Sequence, residues 1–123
     1  MGHPTIYPTG VTVYNPEKCW NGFTIFQALE VGAVLMNMNG RENKVWKGVH
    51  GFPNKIFPGG YLMTSRGSRD GRYGVQDGLD LVQIDWDGNV VWKFDRNEYI
   101  EDPGIPGRWM ARSHHDYQRE GST

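Results

Sequence analysis

The sequence predicts an all-β fold of short antiparallel strands and hairpins. Its 17 glycines and 7 prolines make 24 of the 123 residues, well above a background of roughly 12%, so turns must be frequent and regular elements short. Two segments rich in strand-forming residues each fold back across a polar turn, and the second repeats the pattern of the first. Helical periodicity is weak, since the best candidate, residues 26–30, is too short to form a helix without support.

Two hairpins follow from the alternation of strand-forming and turn-forming residues. In the first, a run containing Val34 and a run containing Trp46 lie on either side of a polar turn, and both runs are typical of strands. In the second, Asp87 and Gly88 supply the positive φ angles that a tight hairpin turn requires. The predicted hairpins combine residues 33–37 with 44–47 across the turn 38–43, and residues 79–85 with 90–94 across the turn 86–89.

The two hairpins also repeat each other. When Trp46 is aligned with Trp92, the first hairpin has two extra residues in its turn, and histidines follow both tryptophans. A repeat of roughly 48 to 65 residues built from short strands is typical of a β-propeller blade, and about four to eight blades are needed to close a ring. We therefore predict that residues 1–123 form a single segment, the opening blades of a β-propeller that another chain or downstream sequence completes.

Composition and charge exclude several classes of function. Thirteen Lys and Arg against 14 Asp and Glu give a net charge of −1, which provides no field to attract nucleic acid or an acidic membrane surface. No apolar run reaches the ~20 residues that span a bilayer. The single Cys19 forms no internal disulfide, and no Cys/His spacing indicates a metal site. Without a secretory leader, we expect a cytoplasmic protein, or a periplasmic one if a leader has been removed.

Several segments resemble a known family. They are TGVTVYNPEK at residues 9–18, WNGFTIF at 20–26, VLMNMNG at 34–40, His50 with FPGGYLM at 57–63, and SHHDYQ at 113–118. In this order they look like the opening, the first blade strand, a recurrent blade opening and a His-His-Asp strand of the bacterial arylsulfate sulfotransferase family. The resemblance extends from about Thr9 to Gly121, nearly the whole chain.

This resemblance implies a six-bladed propeller with a central channel. There, a histidine takes the sulfuryl group of a phenolic sulfate ester and passes it to a second phenol, without a metal or other cofactor. Neutral imidazole is a suitable nucleophile, and His and Arg side chains neutralise the sulfuryl oxygens in the transition state. The family's nucleophilic histidine lies in a later blade, which places it outside these 123 residues. The leader and paired cysteines of periplasmic members are absent here.

His115, His114 and His50 are the candidate catalytic residues. Adjacent residues of a strand point to opposite faces, so only one of His114 and His115 faces the channel if that segment is extended. The sequence does not choose between them, and we favour His115. His50 occupies the corresponding position of the first repeat. The alternative is that all three are ordinary packed or surface histidines.

Arg112, Trp109 and Tyr117 are the candidate substrate-binding residues. Arg112 has the bidentate donors that an anion pocket requires. The alternative interpretation is that Arg112 is a solvated arginine in a loop. Trp109 and Tyr117 flank the histidines and would form an aromatic wall for a phenol. Packing between blades better explains five other aromatic residues, Trp20, Trp46, Phe57, Tyr61 and Trp92.

Three further arginines lie among glycines in residues 64–74, at Arg66, Arg69 and Arg72. Such a loop is able to form a clamp for sulfate or phosphate. The interpretation that we prefer is a mobile polar loop between strands, because clusters of Gly, Ser, Arg and Asp usually mark loops.

Three functions remain open at this point. The first is a segment of an arylsulfotransferase-like enzyme acting on a small aromatic substrate. The second is a propeller enzyme of different chemistry, a hydrolase or lyase acting on an aryl substrate, and the third is a non-catalytic propeller module for protein contacts. Because residues 120–123 end the sequence inside a repeated unit and would leave a strand edge unpaired, we expect a second polypeptide, from another gene or from cleavage near Thr123.

Overall fold

Short antiparallel strands dominate the structure, which confirms the predicted all-β class. The computed structural model describes residues 11–74 and 77–120. Residues 9 and 10 of the family-like opening and the predicted cleavage near Thr123 lie outside the described residues. The strands are β1 (Phe23–Ala28), β2 (Gly32–Asn37), β3 (Glu42–Lys47), β4 (Lys55–Phe57), β5 (Tyr61–Thr64), β6 (Val82–Ile84), β7 (Val90–Lys93), β8 (Glu98–Asp102) and β9 (Ile105–Met110).

The strands form three sheets in which sequence neighbours pair. Strands β1, β2 and β3 form the first sheet, strands β4 to β7 form the second, and β8 and β9 form a separate hairpin. Every pairing between these strands is antiparallel. Within the described residues, the sheets do not close into a ring.

Residues 26–30, the best helical candidate in the sequence, do not form a helix, as we expect from the short length of this segment. Its first three residues belong to β1, all six residues of which pair with β2. Aromatic and β-branched residues in β1 favour a strand, and Glu30, with a φ of 63°, turns the chain into β2. The described helix is α1 (Gly71–Gly74). No helix in the described part has the length and apolar character needed to cross a membrane.

Both predicted hairpins are present, and their turns share one hydrogen-bond pattern. The Asn37 side-chain oxygen accepts hydrogen bonds from the backbone N–H groups of the second and fourth residues after it, both at 3.0 Å. Asp85 does the same in the second hairpin, at 2.9 and 2.8 Å. The backbone N–H groups of Asn37 and Asp85 each donate to the carbonyl four residues later. Short polar side chains at these two positions therefore close equivalent turns.

The alignment of Trp46 with Trp92 needs correction. The turns have equal length, because the closing pairs Met36↔Glu42 and Ile84↔Val90 both join residues six positions apart. Each hairpin then has a bulge beside its turn. Counted from the turns, Trp46 lies two residues further along its strand than Trp92. The two extra residues therefore lie within the strand, between the turn and Trp46, and do not lengthen the turn. An offset of two residues keeps the two tryptophans on the same face of their strands.

A buried apolar seam joins the first two sheets. Trp46 is 3% exposed, its ring meets that of Trp86 edge to face at a centroid distance of 5.4 Å, and its indole N–H donates to the Asp85 carbonyl at 3.2 Å. Hydrophobic burial is the main stabilising contribution in such a seam. Its members from both sheets and the linker between them are Ala33, Leu35, Trp46, Val49, Leu62, Val82 and Ile84, with Ile25 packed against them.

The opposite face of the second sheet is covered by residues 116–119, which we call the C-terminal strap. Lys55, Met63, Gln83 and Trp92 stand opposite one another across four strands, so they form one row on one face. The strap contacts each of them. Asp116 lies 2.6 Å from the Lys55 ammonium, the Tyr117 hydroxyl donates to the Met63 carbonyl at 2.7 Å, and the Arg119 side chain binds Gln83 and stacks on Trp92.

We expect Leu62→Ala to lower the free energy of unfolding by about 2–5 kcal/mol, because it leaves a cavity in the seam. Leu62 is 0% exposed. Leu29→Ala is the matched control, since Leu29 is 85% exposed and its loss should change the stability by no more than about 0.5 kcal/mol. Urea denaturation followed by tryptophan fluorescence measures both. Equal effects of the two variants would contradict the seam as the main apolar contact.

Candidate functional site

Backbone pairing brings the segment after β9 against the loop before β6. The N–H groups of Ala111 and Arg112 donate to the carbonyls of Leu79 and Gly78, both at 3.0 Å, and the Gly78 N–H donates to the Ser113 carbonyl at 2.8 Å. This pairing holds His114 beside the residue that precedes Gly78. A short stretch of strand-like hydrogen bonds thus connects two segments that are distant in sequence.

His114 and Asp77 form a hydrogen-bonded pair. His114 Nδ1 lies 2.7 Å from Asp77 Oδ1. Burial alone would raise the pKa of Asp77, but hydrogen bonds from Arg69 and His114 and nearby positive charges outweigh burial and leave this pKa below its usual value. An ionised carboxylate only accepts hydrogen bonds, so Nδ1 carries the proton and donates. In the neutral form of the imidazole, the lone pair is then on Nε2.

The second oxygen of Asp77 is also occupied. Arg69 Nη1 lies 3.1 Å from Asp77 Oδ2, and the same guanidinium binds both oxygens of Asp102, with a distance of 2.9 Å from Nε to Oδ2. The side chains of Arg69, Asp77 and Asp102 are 17%, 11% and 7% exposed. The carboxylate that holds His114 is therefore fixed from behind by an almost buried ion-pair network.

His114 opens onto a cleft of about 660 Å³. Arg112 lines it, with Nη1 3.0 Å from Glu98 Oε2 and Nε 4.0 Å from Asp77 Oδ2. Arg96 also lines it, and within the described residues no carboxylate forms an ion pair with Arg96. The cleft thus contains a histidine whose Nδ1 is held by Asp77 and a guanidinium, that of Arg96, with no ion pair to a described residue. Its lining residues are Asp77, Phe94, Arg96, Asn97, Glu98, Ala111, Arg112 and His114.

Of the six site residues predicted from sequence, the structure brings His114 and Arg112 into this cleft. His115 is not extended, since its φ is 62°, so the two histidines do not alternate as in a strand. Their rings meet edge to face at 4.2 Å, and the His115 ring contacts Phe52 at 5.6 Å. His50 is exposed and lies in another small pocket beside Gln27.

The two aromatic candidates lie outside the cleft lining. Trp109 is 66% exposed and packs edge to face on Tyr99 in the β8–β9 hairpin at 5.5 Å. The single proton of the Tyr117 hydroxyl is shared between the carbonyl oxygens of Pro53 and Met63, at 2.5 and 2.7 Å. Burial, and then the nearby Asp116 charge, raise the pKa of Tyr117. These contacts give Tyr117 an anchoring role in the strap.

The three arginines of residues 64–74 are each paired with an aspartate. Arg66 lies 2.7 Å from Asp80, Arg72 lies 2.9 Å from Asp70, and Arg69 binds Asp77 and Asp102 as described above. Their charges are compensated within the protein, so the loop does not present a shared anion clamp. Among the described residues, no three His, Cys, Asp or Glu side chains are close enough together to hold a metal ion.

Sequence reasoning missed Asp77, Arg96 and Phe94. Asp77 is 37 residues from His114, and no periodicity connects the two positions. Both Phe94 and Arg96 follow β7; the sequence predicts Phe94 as the last residue of a hairpin strand, and it gives no functional signal at Arg96. The sequence contains one signal for Asp77, which is the surplus of acidic residues that follow the arginine-rich loop. Buried arginines require carboxylate partners, so some of these acidic residues are expected to pair with the loop.

We expect Asp77→Asn to reduce the dependence of stability on pH. Because the folded-state pKa of Asp77 is lowered, its ionised form stabilises the fold above the unfolded-state pKa of about 4, and this contribution is lost as the pH falls through the lower folded-state value. Urea denaturation across this acidic range should therefore show a flatter curve for Asp77→Asn than for the wild type. Parallel curves would contradict the assignment.

Comparison with known proteins identifies no relative. No protein-family model matches the chain, and no significant match was found among curated proteins or solved structures. The similarity to arylsulfate sulfotransferases consequently stays a prediction that depends on the segments quoted for it. The geometry of the cleft is the basis on which a function is proposed.

Proposed function

We propose that this chain is part of a β-propeller enzyme that transfers a sulfuryl group from a phenolic sulfate ester to a phenol. The observation that carries the proposal is the His114–Asp77 pair, with 2.7 Å between Nδ1 and Oδ1, at the edge of a cleft that also contains two arginines. An oriented imidazole beside guanidinium groups suits group transfer from an anionic ester. The family-like segments of the sequence point to the same chemistry.

His114 acts in this proposal as the general base for the acceptor. As the acceptor oxygen attacks sulfur, the phenolic proton moves to Nε2, and the Asp77 carboxylate stabilises the resulting imidazolium through Nδ1–H. The bond between sulfur and the group that carried it breaks at the same time, and that group keeps the electron pair. The nucleophile that first takes the sulfuryl group is supplied by the rest of the propeller, as the resemblance implies.

Arg96 and Arg112 bind the sulfate in this arrangement. Arg112 is already paired with Glu98 at 3.0 Å, so Arg96, exposed and without an ion pair in the described part of the chain, is the main anion ligand. Charge-assisted bonds from guanidinium to oxyanions are short and strong. Phe94, half-buried in the same lining, provides the apolar contact for an aryl ring.

Sheet packing supports the propeller part of the proposal. When the two hairpins are aligned at their turns, Leu35 of the first sheet occupies the same position as Gln83 of the second. Leu35 lies in the buried seam against the second sheet, and Gln83 lies in the row covered by the C-terminal strap. Each sheet thus uses the same face to contact the chain segment that follows it. A packing relation that repeats in one direction is the basis of propeller architecture.

The test uses the protein isolated from its source through a tag on this chain, so that any partner is retained. With 4-nitrophenyl sulfate as donor and phenol as acceptor, mass spectrometry detects phenyl sulfate and absorbance follows 4-nitrophenol. We expect His114→Gln to lower kcat by about 10²- to 10⁴-fold, the usual contribution of a general base. His50→Gln is the matched control and should leave kcat within about twofold, because His50 lies outside the cleft.

Three results would contradict this function. Release of 4-nitrophenol without any sulfated acceptor would identify a hydrolase, the alternative in which water replaces the phenol. Equal activities of His114→Gln and His50→Gln would remove His114 from the reaction. Absence of both turnover and binding of 4-nitrophenyl sulfate would favour the non-catalytic interaction module.

A further inference from the structure

We propose that Arg69 is a positioning residue for His114, which acts by fixing the Asp77 carboxylate from the side opposite the imidazole. Arg69 touches neither the cleft nor His114, and its effect passes through Asp77. The inference rests on the proposed function for its effect on turnover, whereas its effect on the imidazole is independent of that function.

The two oxygens of Asp77 are divided between Arg69 and His114. Oδ2 accepts from Arg69 Nη1 at 3.1 Å, and Oδ1 accepts from His114 Nδ1 at 2.7 Å. A carboxylate held at one oxygen only is free to rotate about its Cβ–Cγ bond, because that torsion has a broad energy profile. The bond from Arg69 therefore sets the plane in which Oδ1 meets the imidazole.

Arg69 is itself held on three sides. Its Nε and Nη2 bind the two oxygens of Asp102, its backbone N–H donates to the Asp77 carbonyl at 2.9 Å, and its guanidinium carbon lies 6.0 Å from the Tyr73 ring centroid. Tyr73 donates its hydroxyl to the Pro103 carbonyl at 2.8 Å. The β8–β9 hairpin thus contributes to the position of Asp77 although none of its contacts reaches Asp77 directly.

Burial makes this arrangement specific for arginine. The Arg69 side chain is 17% exposed and that of Asp102 is 7% exposed, so water is a poor substitute for either partner. A lysine ammonium at this position would retain the charge but lacks the planar guanidinium group. Arginine uses that group to give two donors to Asp102 and a third to Asp77. Arg69→Lys therefore separates the geometry of the contact from its charge.

The control for Arg69→Lys comes from the same loop. Arg72 also pairs with an aspartate, Asp70, but its side chain is 66% exposed, and none of its described contacts reaches Asp77. Arg72→Lys makes the same chemical change at a residue whose one described contact with this network is with the Tyr73 ring, at 5.5 Å. If Arg69→Lys fails to fold, the double variant Arg69→Met/Asp102→Asn removes one positive and one negative charge together and leaves the Asp77–His114 pair in place.

The first readout is the tautomer of His114, measured by ¹⁵N NMR of the imidazole at mildly alkaline pH. In the wild type and in Arg72→Lys we expect the Nδ1–H form, and in Arg69→Lys a mixture of both neutral forms. The second readout is transfer from 4-nitrophenyl sulfate to phenol by the native assembly. There we expect kcat to fall by about tenfold, as is typical when an outer partner of a site histidine is lost, with KM changed by less than about twofold.

The outcomes separate this inference from the proposed function. A tautomer mixture in Arg69→Lys without transferase activity in any variant would support the positioning role and refute the transferase. The positioning role would be overturned, whatever the turnover, if Arg69→Lys contained only the Nδ1–H form. If Arg69→Lys does not fold, the same result in the double variant would overturn it. Equal loss of kcat in Arg69→Lys and Arg72→Lys would overturn it as well.

Discussion

Burial of apolar side chains between the first and second sheets is the interaction on which the rest of the structure depends. Sheets of three and four short strands depend for their stability on burial of a hydrophobic face. Their shared seam removes Leu62 and Trp46 from solvent and fixes how the sheets face each other. The loop that carries Asp77 and the strap that follows His114 are both attached to the second sheet, so the candidate site inherits its geometry from this seam.

Charge has a more local role than hydrophobic burial. Arg69 lies between two carboxylates and leaves one of them able to hold an imidazole. Almost buried ion pairs contribute little net stability when compared with apolar packing, but they are costly to break and they fix orientation. We therefore infer that this network fixes the geometry at His114, in addition to the pH-dependent stability that ionised Asp77 provides.

Local patterns in the sequence predicted the fold class and both hairpins, because strand-forming runs and Asx-type turns depend on neighbouring residues. Bulges were not predictable, since the offset of Trp46 against Trp92 depends on pairing across strands. His114 and Arg112 were predicted as site residues, and the structure places both at one cleft. Asp77 was missed because its contact with His114 arises only through the pairing of Gly78 with Ser113. The complete propeller and the sulfuryl transfer stay proposals.

The C-terminal strap has a consequence for the order of folding. Lys55 and Tyr117, which are hydrogen-bonded, stand 62 residues apart, and Asp77 and His114 stand 37 apart. Contacts over such distances in sequence form late, after local hairpins have reduced the entropy of loop closure. The surface on which the strap rests exists only when all four strands of the second sheet are aligned. We therefore expect the contact between His114 and Asp77 to form late, so that a partly folded chain carries the histidine without the carboxylate that orients it.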